Sequence, residues 1–218
     1  MRNLSLRGVS RKYLGISSAI SVRDDVFPGP PIAASVSLRT RLGSLARKQH
    51  SFELSEPRCT YYGGTAAFEQ TWTHIRVRIQ LHPDAGIPSK TLEALRSTWS
   101  KGIKETWSDQ RGCGRRGEIA CPLTFEVLWV TSDEHHAVAV HKGPGRSNMY
   151  NWHTTDGGDV AAHEFGHMIG LADEYPDPNC PNRRPVDTGT IMDDLGGAIP
   201  DRLLKRLADN LGSTIVGV

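Results

Sequence analysis

The stretch that decides the reading is His163-Glu164-Phe165-Gly166-His167-Met168-Ile169-Gly170-Leu171-Ala172-Asp173-Glu174-Tyr175. It holds H-E-x-x-H and continues as x-x-G-x-x-D. On a helix, residues i and i+4 share a face, so His163 and His167 can present imidazole nitrogens to one ion. Glu164 stands beside them, placed to take a proton from a water the ion activates rather than to bind the ion itself. Gly170 can adopt the left-handed conformation that ends a helix. The chain then turns back, and Asp173 offers a third, oxygen ligand. Two imidazoles and a carboxylate leave a tetrahedral Zn2+ one open position, as catalytic sites do and structural ones do not. The histidine pair alone is a weak signal, because an amphipathic helix can carry surface histidines at this spacing. Gly170 and Asp173 at the matching distances sharpen it.

These residues resemble the zinc site of the metzincin branch of the zincin metallopeptidases, which reads H-E-x-x-H-x-x-G-x-x-H with a Met-turn further on. Asp173 stands where most of that family have His, a departure shared by snapalysin-type bacterial peptidases. Thr190-Ile191-Met192-Asp193 is the Met-turn candidate. The close resemblance spans residues 163–193 and a looser one, in element order, about 70–211; residues 1–56 lie outside it. It implies a zinc endopeptidase with one catalytic Zn2+ on His163, His167 and Asp173, Glu164 as general base, and Met192 below. By the family's spacing Asp173, not Glu174, is the third ligand. Glu174 then points away, to cap a backbone group or meet Arg183 or Arg184. Tyr175 is a phenol donor to an oxyanion or a packing group. By the same analogy Ser147–Trp152 is an edge strand that takes an extended protein or peptide substrate by strand addition. Peptidase domains of this kind also occur as cargo of bacterial secretion and polymorphic-toxin systems, which implies a delivered effector with an inhibitor or immunity protein as partner. The alternative is a non-catalytic metal-dependent binding module, against which the intact Glu164 argues.

Around the motif the elements read as an α+β domain. Thr71 to His82 alternates, with Thr73, Ile75, Val77, Ile79 and Leu81 on one face, the pattern of a strand with one buried side. After the turn at Pro83–Gly86, a helix from Pro88-Ser89 to about Ser108 carries Leu92, Leu95, Trp99, Ile103 and Trp107 at helical spacing, a core-facing stripe. Leu123–Thr131 and Ala137–His141 read as strands, Ser147–His153 as a short edge strand, and Asp156–Asp159 as the N-cap region of the site helix. Adjacent His135 and His136 read as a turn, and His153 as a surface group. Residues 176–185, with four prolines, must be loop. Pro200 to Leu211 is a last helix with Leu203, Leu204, Leu207 and Leu211 on one face. The expected architecture is a twisted mixed sheet with a long backing helix and an active-site helix. Below them come the Met-turn and the last helix, in a small C-terminal lower subdomain.

The 218 residues suit one domain with an appendage. The net charge of +2 hides a split: residues 1–56 balance at +5 and residues 57–218 at −3. The basic start, with Pro28-Gly29-Pro30-Pro31 and no sustained period, reads as a linker, pro-segment or delivery region. The peptidase-like domain is expected over 57–218. No nucleic-acid partner is expected. No run of eighteen apolar residues exists, so no membrane span is expected. Leu14–Val22 is short and broken by serines, unlike a signal peptide. The expected location is outside the producing cell by a non-standard route, with the cytoplasm as alternative.

Four cysteines allow three pairings. Cys113 and Cys121 flank a Gly/Arg-rich loop that a disulfide can close; buried thiols are the alternative. Pro57-Arg58-Cys59 is similar to the cysteine switch of matrix metalloproteinases, in which a pro-segment thiolate occupies the open zinc position. The rest of that motif is missing, and a disulfide from Cys59 to Cys180 is the competing expectation.

Overall fold

The computed structural model describes residues 47–55, 59, 63–114 and 120–218. The chain is mixed α+β, with twelve named elements among the described residues. In order they are β1 (Lys48–Ser55), β2 (Gly63–Thr71), β3 (His74–Pro83), α1 (Ser89–Trp107), β4 (Gly112–Gly114), β5 (Cys121–Pro122), β6 (Thr124–Val130), β7 (His136–His141), β8 (Asn151–His153), α2 (Gly158–Met168), α3 (Asp201–Asp209) and β9 (Thr214–Val216).

The alternation in β3 does what its period implies. Ile75, Val77, Ile79 and Leu81 are buried, while Arg76 and Arg78 stay on the other face. β3 is the hub of a six-stranded mixed sheet ordered β1-β2-β3-β7-β8, with β6 along the other edge of β3. β6 and β7 run parallel to β3, and β8 parallel to β7; β1 and β2 are antiparallel. β2 and β7 share one edge of β3: β2 pairs at its start, from His74 to Arg76, and β7 at its end, from Ile79 to Pro83. The His136 ring bridges the gap between them, its Nε2 lying 2.9 Å from the Ala67 carbonyl. Burial, the largest influence, holds the His136 pKa down at about 4, so the ring serves there as a neutral donor. His136 is thus the buried first residue of β7, not part of a turn.

β1 starts at Lys48, ahead of the boundary drawn at Pro57, and pairs with β2 along its whole length. Residues 1–46, Pro57 and Arg58 lie outside the described residues.

α1 backs the sheet with Leu95, Trp99, Ile103 and Trp107 buried. Each large apolar side chain so buried contributes roughly 1.5–3 kcal/mol. Two of its tryptophans also hold the α2 region. Trp107 Nε1 donates to the Ala162 carbonyl at 2.9 Å and Trp99 Nε1 to the Asp156 carbonyl at 3.0 Å. The helices cross backbone to backbone: a Cβ on Gly102 would stand 2.3 Å from Gly158 Cα. Gly157 stands at the N-cap of α2, so no side chain caps the helix. The Asp156 carboxylate instead accepts bonds from Ser147 Oγ and the His153 N–H, both at 2.6 Å.

A second, three-stranded sheet, β5-β4-β9, closes the chain's end. Cys113 and Cys121 face each other in it but form no disulfide, contrary to the expectation from their loop. The Cys113 thiol is buried, which raises its pKa, and is bonded to the Ser213 side chain instead. Cys59 is joined to Cys180 in a disulfide, so it is not the free thiol that a cysteine switch needs. No helix among the described residues is long and apolar enough to cross a membrane.

Candidate metal centre

α2 ends at Met168, and the chain reverses at Gly170, whose φ is +103°. The Leu171 N–H returns to the Gly166 carbonyl at 3.0 Å and the Gly170 N–H to the His167 carbonyl at 2.9 Å. A Cβ on Gly170 would also strike the Phe52 ring, 2.2 Å from Cζ. Both conformation and space therefore demand glycine at this position.

The reversal aims the site. His167 Nδ1 lies 2.8 Å from the Leu171 carbonyl, and His163 Nδ1 lies 2.8 Å from the Ile191 carbonyl. A carbonyl only accepts, so both rings carry a proton on Nδ1 and turn Nε2 inward, where it can take a proton or a cation. Both Nε2 atoms meet Asp173 Oδ1, at 3.2 Å from His163 and 3.1 Å from His167. Three acceptor atoms thus converge within 4.8 Å of one another. Acceptors facing acceptors need a cation or a proton between them. Burial alone would lower the His167 pKa, but the bond to Asp173 and the Asp173 and Glu164 charges lift it to about 9. Burial would raise the Asp173 pKa, but its bonds to the two imidazoles hold it well below the usual carboxylate range. The donor set suits a borderline divalent cation such as Zn2+.

Asp173 and Glu174 are neighbours with opposite duties. Asp173 Oδ2 accepts from the Tyr175 hydroxyl at 3.0 Å and from Arg183 Nη2 at 3.3 Å. Glu174 points away, as its spacing implied, but its partners are not Arg183 or Arg184. Arg202 clamps both its oxygens, and Thr188 and Thr190 each donate to Oε2 at 2.6 Å. Burial, the largest single influence, works to raise the Glu174 pKa, and the bonds from Arg202, Thr188 and Thr190 together with the Arg202 charge bring it below the usual value.

Glu164 is buried, and its Oε2 has no hydrogen-bond partner among the described residues. Burial pushes its pKa up, with His167 and His163 offsetting part of the rise. Tyr175 is held between Arg146, which donates to its hydroxyl at 3.0 Å, and Asp173. Burial first, then the Asp173 charge, pushes its pKa up to about 12. Met192 is fully buried under α2, where a Cβ on Gly166 would stand 2.5 Å from its sulfur.

A cleft of about 460 Å³ opens onto these groups, walled by Arg146–Asn151 on one side and by Leu54, Gly63 and Gly64 of the β1–β2 hairpin on the other. A smaller pocket of about 280 Å³ continues past His163 and Glu164 between Asp156 and Asp193. Ser147–Trp152 is not the extended edge strand expected. Asn148 and Asn151 close a tight turn through reciprocal backbone bonds of 3.0 and 3.1 Å. The outward groups of β8 are consumed there and at His153, whose N–H and carbonyl are both taken by Asp156. A chain cannot add to that edge as β8 stands.

Sequence reading missed Arg202 and the hairpin wall, and set Arg183 against Glu174 rather than Asp173. The arginines lie in or beyond a proline-rich loop with no period. No family model, curated protein or solved structure matches this chain.

Proposed function

We propose that the chain is a zinc-dependent endopeptidase of the zincin kind. The observation that carries the reading is the convergence of His163 Nε2, His167 Nε2 and Asp173 Oδ1 beside the orphaned Glu164 Oε2. Bound there, zinc supplies a Lewis acid that makes water nucleophilic near neutral pH and polarises a carbonyl. The chain's residues do the rest. The Leu171 and Ile191 carbonyls keep both imidazoles in the ligating tautomer. Glu164 Oε2 receives the proton of the attacking water, and burial raises its basicity toward that task. It then returns the proton to the leaving amine. Substrate enters the cleft between the 146–151 turn and the β1–β2 hairpin.

The non-catalytic binding module is disfavoured by Glu164 itself. Glu164 Oε2 has no hydrogen bond, only His167 Nε2 at 3.9 Å; a buried carboxylate oxygen left without a hydrogen bond costs about 1–3 kcal/mol, and a pure ligand set has no use for it. The Cys59–Cys180 disulfide suits an oxidising destination, in keeping with an exported effector whose partner is an inhibitor or immunity protein. The test is hydrolysis of peptides in a proteome digest, read as new termini. Activity should vanish with a chelator and return with zinc. Glu164→Gln should keep zinc and fold yet lose turnover by roughly 10²–10⁴-fold. A loss below about tenfold would remove Glu164 from the general-base role.

A further inference from the structure

The disulfide and the third ligand meet at one side chain. Arg183 is buried, and its Nη2 lies 3.3 Å from Asp173 Oδ2 and 3.6 Å from Cys180 Sγ. Its Nη1 donates to the Tyr175 carbonyl at 3.0 Å, and its guanidinium stacks over the Tyr175 ring at 4.8 Å. The backbone ties the same group to the cysteine, with the Arg183 N–H on the Cys180 carbonyl at 3.0 Å and the Cys180 N–H on the Asp177 carbonyl at 2.8 Å. Through Cys59 the disulfide also fastens this loop to the connection between β1 and β2, the hairpin that walls the cleft.

Asp173 has no helix to hold it. What orients its carboxylate is the pair of donors on Oδ2, and one of them, Arg183, is positioned by the loop that the disulfide anchors. Carboxylate ligands held by such partners lose roughly 10–100-fold in metal affinity when the partner is removed.

We infer that Arg183 is a positioning residue of the metal centre and that the Cys59–Cys180 disulfide sets metal affinity through it. The inference rests on the reading of His163, His167 and Asp173 as a zinc site. A low-molecular-weight dithiol reduces the bond: its two thiols become a disulfide while Cys59 and Cys180 each gain a hydrogen. The loop is then free of the hairpin, Arg183 loses its anchored neighbour, and Asp173 loses one of the two donors on Oδ2, keeping the Tyr175 hydroxyl. The protein thus holds zinc weakly in a thiol-rich compartment and tightly in an oxidising one.

The experiment is a competition titration of zinc against a fluorescent chelator. It uses the full chain as oxidised protein, as protein reduced with a non-chelating phosphine, and as Cys59→Ser, Arg183→Gln, Arg183→Lys and the Cys59→Ser/Arg183→Gln double variant. Circular dichroism follows the fold. Reduction and Cys59→Ser should each weaken zinc binding by roughly tenfold, and Arg183→Gln by roughly 10–100-fold. The double variant should be no weaker than Arg183→Gln alone, and Arg183→Lys should recover part of the loss. Three results would overturn the inference. They are an unchanged affinity on reduction, a disulfide effect that persists undiminished in the Arg183→Gln background, and unfolding of the reduced protein. Failure of the oxidised parent to bind zinc at all is a different outcome, and it sinks the zinc reading itself.

Discussion

The two halves of the proposed metal centre are built by different forces. His163 and His167 ride on α2, which is pinned to α1 and the sheet by Trp99, Trp107, Phe125 and Phe165. Asp173 sits in a stretch from Leu171 to Pro200 that holds no named helix or strand. Buried Ile191 and Met192 and the Cys180 disulfide anchor that stretch, but what aims its two carboxylates is polar: Arg183 and Tyr175 on Asp173, and Arg202, Thr188 and Thr190 on Glu174. Apolar packing is non-directional and broad, so it positions a whole helix. Charge-assisted hydrogen bonds are directional, so they can send two adjacent carboxylates opposite ways. The first half should therefore fail by unfolding; in the second, losing a fixing on Asp173 should cost the metal and losing one on Glu174 should cost stability.

The largest effect should come from Trp107→Ala. It empties a core site and removes the bond to Ala162, and should lower stability by about 3–5 kcal/mol in denaturant unfolding. A loss below about 1 kcal/mol would break the comparison, because the helix would then be held by something other than this packing. Glu174→Ala comes next. It removes the carboxylate that Arg202, Thr188 and Thr190 share, and should cost about 1–3 kcal/mol while zinc affinity stays unchanged. Loss of zinc in this variant would show that the two carboxylates are not separate in duty.

The smallest effect is a pH dependence. The His167 pKa is about 9 in the fold against 6.5 in the unfolded chain. A raised pKa stabilises metal-stripped protein fully below pH 6.5, and this contribution is lost as pH rises through 9. Zinc displaces that proton. The melting-temperature gap between zinc-loaded and stripped protein should therefore widen from pH 6.5 to 9, with proton release on binding measurable by calorimetry. A gap that narrows over that window contradicts the ligand role of His167.

What was legible in the sequence divides along the same line. β3 and α1 declared themselves through periods of 2 and 3.6, because their buried residues are apolar and evenly spaced. The convergence of His163, His167 and Asp173 was legible because a helix and one glycine fix their relative placement. β2 was hidden: Ala66, Phe68, Glu69 and Gln70 are all buried, so its pattern does not alternate. Glu69 sits inside because Arg47, Arg76 and Arg78 surround it, a compensation from other segments that no local window contains. β1 alternates His50, Phe52 and Leu54 against exposed Ser51 and Glu53, but it follows a basic, aperiodic run that masked it. Arg183 could not be assigned to Asp173 rather than Glu174, because a loop's long-range contacts leave no period to read.

The central claim is that Asp173, not its neighbour, completes a zinc site with His163 and His167. The most direct measurement is zinc content per chain, by elemental mass spectrometry after dialysis against a weak chelator, for the parent, Asp173→Ala and Glu174→Ala. The account predicts a single zinc in the parent and in Glu174→Ala and little or none in Asp173→Ala. Zinc retained in Asp173→Ala and lost from Glu174→Ala, or no zinc in the parent, would contradict it.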